Sequence, residues 1–259
     1  MLKKLLKYDF KTLIQTMLPV YGVSLILSVI SNIFIRVNKI TPIFRIPMAL
    51  ITGLSILVCL GTVFLTFIIG IINFYKQTVK DEGYLLHTLP VSKNSIIISK
   101  LTSLITMEVL SLIVALITLT ITINLDPKKI IDAIKFITEI LQNYKLTTLL
   151  ALLTILIGQI TNTLLLYVSI SFGQKHATNK LLYSIIYGVV IYNIAQVISM
   201  LIYSPILFNE KYVEALNETI PESKILNIML LITMGASLII GTTYYILTKK
   251  NLENKLNLE

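Results

Sequence analysis

The stretch Phe74–Lys100, FYKQTVKDEGYLLHTLPVSKNSIIISK, sets how the rest of the chain is laid out. It is polar enough to stay in water, yet it lies between two runs long and apolar enough to cross a bilayer. Thr78 and Asp81 have the spacing of a capping box, so a short helix is expected to begin there. Pro90 pushes the residue before it away from helical dihedrals, and that helix should stop by Leu89. Ser92 is then placed to cap a new helix running back into the membrane. The predicted segment opens on acids, Asp81 and Glu82, and closes on an apolar cluster of Tyr84, Leu85, Leu86 and Leu89. A short amphipathic helix hung between two spans is the shape of a docking element.

Outward from this loop, composition sets the class. Of 259 residues 55% are hydrophobic and only 14% charged, where soluble domains carry about a quarter charged. Intervals almost free of charge, the third interrupted by Glu108, place six membrane helices at residues 13–35, 47–74, 99–124, 147–172, 181–207 and 226–248. Each reaches the roughly 20 residues that cross about 30 Å of hydrocarbon. None alternates over about ten residues as a barrel strand would. The expectation is an all-α, polytopic protein with residues 1–259 forming one transmembrane domain. Ahead of the first span, Leu2, Leu5, Leu6 and Phe10 against Lys3, Lys4, Lys7 and Lys11 make a basic amphipathic N-terminal helix suited to an interface. The apolar run behind it is too long for a signal-peptide core and is read as a retained span.

Net charge is +9, with the basic residues gathered at the ends of apolar runs. That is the pattern of topology signals and head-group contacts, not of a nucleic-acid groove. An even span count puts both termini on one side. With that side cytoplasmic, thirteen basic residues lie inside and nine outside, which favours a multi-pass cell-membrane protein with both termini cytoplasmic. The acidic loop holding Glu210, Glu214, Glu218 and Glu222 suits the outside. Between spans three and four, Ile130, Ile134, Ile137 and Leu141 repeat at helical spacing and predict an interfacial helix over Pro127–Lys145.

Sites of chemistry are few. No Gly-x-x-x-x-Gly-Lys-Ser/Thr phosphate loop occurs, so no nucleotide is held by that route. His87 and His176 stand in different loops without a second ligand at metal spacing, so neither a metal nor a catalytic site is expected. Cys59 is single and cannot pair within the chain. Glu108 is the one carboxylate inside a span; it either faces a polar cavity or lies near enough to the interface to reach water or Lys100. Gln159 and Asn162 in the fourth span, and Asn193 and Gln196 in the fifth, either bond helices together or line a pathway. No Gly-x-x-x-Gly pair marks a helix seam.

Asp81-Glu82-Gly83-Tyr84-Leu85-Leu86-His87-Thr88-Leu89-Pro90-Val91-Ser92, followed by Ile98-Ser99-Lys100-Leu101, resembles the cytoplasmic loop of bacterial ABC-transporter permeases of the type-2 exporter class. In that family the loop joins spans two and three and carries the coupling helix that docks on the ATPase. Met1–Lys11 resembles the family's connecting helix. The resemblance implies ATPase coupling through Asp81, Glu82, Gly83, Tyr84, Leu85 and Leu89. It also implies a separate ABC ATPase subunit that binds ATP and Mg, a second permease chain, and no cofactor or catalysis on this chain. Outward movement of a hydrophobic or amphipathic substrate (peptide, toxin or drug) is the function it implies. One departure is the helix expected between spans three and four, because the family more often has an extracellular element between spans five and six. The rival readings are a non-transporting immunity or sensor protein and a secondary transporter, for which one intramembrane carboxylate is thin support.

Overall fold

A computed structural model describes residues 2–40, 45–79, 83, 91–123, 127–176, 178–207 and 222–254. The protein is all-α: the described residues form helices α1 (Leu2–Ile40), α2 (Arg45–Val79), α3 (Lys93–Thr122), α4 (Pro127–Asn143), α5 (Lys145–Gly173), α6 (Lys180–Leu207) and α7 (Glu222–Asn254), with no strand among them. Six of these, all but α4, are long and apolar enough to cross a membrane. The chain is a polytopic membrane protein.

Boundaries differ from the expected ones in two instructive places. The basic turns of Leu2–Lys11 are not set off from the first span; they are the start of one 39-residue helix that runs through Pro19. At 1.5 Å per residue that helix is roughly 58 Å long, about twice the hydrocarbon thickness, so its lysine-bearing turns extend beyond the apolar layer. Thr78 does not open a new helix but lies buried in the last turn of α2. An apolar helix already in progress continues at lower cost than a fresh nucleus forms. Ser92 stands directly before Lys93, the first residue of α3, as a cap should. The helix expected between spans three and four is present as α4.

The described residues fall into two compact units. The first, residues 1–74 and 95–135, contains α1, most of α2 and nearly all of α3. Its buried residues repeat every three or four positions: Leu13, Met17, Tyr21, Ser24, Ser28 and Ser31 on α1, and Ser55, Cys59, Thr62 and Thr66 on α2. On α3 the stripe is Ser103, Met107, Ser111, Ala115, Thr118 and Thr122. Leu13, Met17, Tyr21 and Met107 form an apolar cluster against which Ile69 of α2 and Leu110 of α3 also pack. Along the rest of these stripes the buried side chains are small, mostly hydroxyls with one thiol, and they let helix backbones approach closely where lipid supplies no hydrophobic drive. Thr118 Oγ1 donates to Cys59 Sγ at 3.2 Å, Cys59 Sγ donates to the Ala115 carbonyl at 3.1 Å, and Asn32 Nδ2 donates to the Ile121 carbonyl at 2.7 Å.

The second unit, residues 75–94 and 136–259, is built on α5. Both α6 and α7 pack along α5 and scarcely touch each other. Thr161 Oγ1 donates to the Ser237 carbonyl at 3.0 Å and Asn251 Nδ2 donates to Ser171 Oγ at 3.0 Å, stitching α5 to α7. Where α5 turns into α6, Gly173 sits so close to the next helix that a Cβ there would meet the Ser184 nitrogen at 2.6 Å and the Lys180 carbonyl at 2.8 Å. Asn179 closes this connection with φ 53°, in the left-handed region that asparagine tolerates better than most residues. His176 stacks on Tyr183 with ring centroids 3.6 Å apart, and its Nε2 shares a hydrogen bond with the Tyr187 hydroxyl at 3.2 Å.

Candidate functional site

Two polar centres are built into the helices, one in each unit. The first is an ion pair. Asp9 follows the basic turns of α1, and Lys100 lies two turns into α3, the helix that leaves the polar loop. Lys100 Nζ donates to Asp9 Oδ1 at 3.1 Å, and Ser99 Oγ donates to Asp9 Oδ2 at 2.6 Å. Both charged side chains are buried, with 4% and 8% of their surfaces exposed. Each Asp9 oxygen therefore has a donor, the condition under which a buried carboxylate is tolerable. Such a contact joins residues 91 positions apart in the chain. What it can do is lock two helices at one end.

Asp9 carried no weight in the sequence, where it reads as one polar residue on a lysine-rich surface. Its period with Leu13 and Met17 was the available signal, since all three fall on the face that α1 buries. Glu108 belongs to the same unit and is also buried, two turns beyond Lys100 on α3, and is not the partner of that lysine's ion pair with Asp9. Of the loop positions, Gly83 is helical and buried; a Cβ on it would come within 2.7 Å of the Thr78 carbonyl oxygen. Only glycine fits that approach. Asp81, Glu82, Tyr84, Leu85 and Leu89 lie outside the described residues.

The second centre is a cleft of about 500 Å³ in the second unit, floored by α5 and walled by α6 and α7. Asn162 and Gln196 both line it, so the structure brings together two residues that the sequence places on separate helices. Gln159 and Asn193 are not among the lining residues. Asn193 is turned back on its own helix, donating from Nδ2 to the Val189 carbonyl at 2.7 Å. The lining that sequence reasoning missed is tyrosine and serine: Tyr192, Ser199 and Tyr203 on α6, with Ser237 and Tyr244 on α7. The Tyr203 hydroxyl and Thr233 Oγ1 meet at 2.5 Å and bridge α6 to α7. No lining residue is charged. Tyrosines look like ordinary span residues in a chain with thirteen of them, so only the fold singles these out.

Among the described residues no cluster of histidine, cysteine or carboxylate side chains has the makings of a metal site. Compared with known protein families, characterised proteins and solved structures, the chain matches none.

Proposed function

We propose that the chain is the transmembrane subunit of an ATP-driven exporter, energised by a separate ATPase that docks on the loop between α2 and α3. The observation that carries this reading is the buried Asp9–Ser99–Lys100 contact. A loop that receives force from a partner moves more of the molecule if a helix it leads into is tied to another span. Lys100 sits seven residues after the start of α3, and Asp9 ties that end of α3 to the first turns of α1. A displacement of the loop would thus be handed to two spans at once. The sequence supplies the complementary features, an apolar Tyr84–Leu85–Leu89 cluster led by acids and no phosphate loop of its own. ATP and Mg would be bound by the partner, and this chain would carry no catalytic residue. Two copies of the chain, or this chain with a second permease, would frame the path outward, with both termini and the loop cytoplasmic.

Asp9→Asn tests this coupling role in the chain co-expressed with its ATPase. The variant should still bind the ATPase, yet lose ATP-driven efflux by about tenfold or more, because the helix lock and not the docking surface is broken. Reversing the pair, Asp9→Lys with Lys100→Asp, should restore part of it. Unchanged efflux in Asp9→Asn would contradict the coupling role.

A further inference from the structure

We propose that the cleft between α6 and α7 is a binding site for an uncharged amphiphile with a polyhydroxylated head. Depth is the first argument. Asn162, Gln196 and Ser237 each lie in the middle turns of a helix long enough to span the bilayer, so the cleft's polar groups are set at membrane depth. Amide and hydroxyl groups there are costly unless something hydrogen-bonds to them. Several have no such partner among the described residues. Tyr244 is 93% buried, its ring packed among the lining residues, and among the described residues its hydroxyl has no hydrogen-bond partner. The side chains of Asn162 and Ser199 likewise make no hydrogen bond among the described residues. Gln196 uses its Nε2 on the Tyr192 hydroxyl at 2.9 Å, which leaves its carbonyl oxygen to accept.

Charge is the second argument. A lining without a single acid or base cannot compensate a charged head group in a medium of low dielectric, so the ligand must be neutral. The donor–acceptor mixture of an amide, hydroxyls and phenols matches a head that itself offers both, as adjacent hydroxyls do. Tyrosine faces suit the apolar side of a sugar-like ring. The volume is within the usual range for small-molecule sites and takes one or two such rings. Tyr192 and Met200 are exposed, as are the amides Asn162 and Gln196, so the cleft is open beside α6 and an alkyl chain could leave along that helix into lipid while the head stays against Tyr244.

This inference rests on the exporter reading only for treating the ligand as cargo; binding needs neither ATP nor a partner. The experiment uses the full chain in phosphatidylcholine nanodiscs with an alkyl glucoside bearing a diazirine on its sugar ring, and maps cross-links by mass spectrometry. Labelling should concentrate on the middle turns of α5, α6 and α7 and be suppressed by unlabelled alkyl glucoside. An alkyl sulfate, an alkyltrimethylammonium and N-acetyl-trileucine amide should not suppress it. Tyr244→Phe, which keeps the ring and its packing, should weaken labelling about fivefold, and Asn162→Leu about tenfold. Equal suppression by the charged amphiphiles, suppression by the peptide amide alone, or full labelling of both variants when they elute like the wild type would overturn the proposal. Because labelling is read without ATP, its failure leaves ATPase-dependent efflux to be judged separately.

Discussion

Lys100 is a lysine held almost entirely out of water, and Asp9 together with Ser99 is what makes that tolerable. Removing the carboxylate leaves an ammonium in a low-dielectric site, a change that typically costs about 3 kcal/mol or more. Asp9→Asn should therefore lower the thermal stability of the purified protein well beyond the effect of Asp132→Asn, at an exposed position on α4, measured by unfolding in mild detergent. Equal effects would mean the pair contributes nothing. A second residue-scale prediction concerns Asn179 at φ 53°. Asn179→Gly should be neutral or slightly stabilising, whereas Asn179→Val should cost roughly 1–2 kcal/mol, because a β-branched side chain clashes in that region. The same unfolding assay reads both. None of these partnerships was legible in the sequence. Asp9 and Lys100 are 91 positions apart, and nothing local distinguishes a surface acid from one that turns inward.

The helices were legible as elements, because a lipid-crossing helix must be long and apolar whatever it packs against. Their seams were not. A search for paired glycines finds nothing, while the working pattern is serine, threonine and cysteine at spacings of three and four, as in Ser55-Cys59-Thr62-Thr66. Hydroxyl residues recur throughout these spans, so only the buried subset reveals the period. It follows that Ser111→Ala should be tolerated and Ser111→Leu should not, since the stripe allows close approach and leaves no room for a branched side chain. At the α5–α6 connection, Gly173→Ala would need the backbone of Ser184 and Lys180 to move. We expect it to destabilise the second unit by about 1–3 kcal/mol, seen as a lowered unfolding midpoint. Gly158→Ala, with open space around its Cβ, serves as the neutral control.

At the scale of the whole molecule, six spans and a polar loop between the second and third could be read directly from the uncharged intervals. How the spans group could not, because grouping depends on which faces bury each other, and nearly every face of these helices is apolar. The cleft shows the consequence: Asn162 and Gln196 were visible as mid-span amides, yet their meeting beside Tyr244 requires the packing of α6 and α7 along α5. In the proposed function a separate ATPase drives this chain through the loop at residues 80–92. Losing two buried anchors of about 2 kcal/mol each weakens an interface by well over tenfold. The direct measurement is vanadate-sensitive ATP hydrolysis by the affinity-purified complex from native membranes, wild type against Tyr84→Ala with Leu85→Ala. Robust hydrolysis is expected with the wild type, and at least a tenfold loss in a variant that inserts into the membrane equally well. Equal hydrolysis by the two preparations, or none with the wild type, would contradict the proposed coupling.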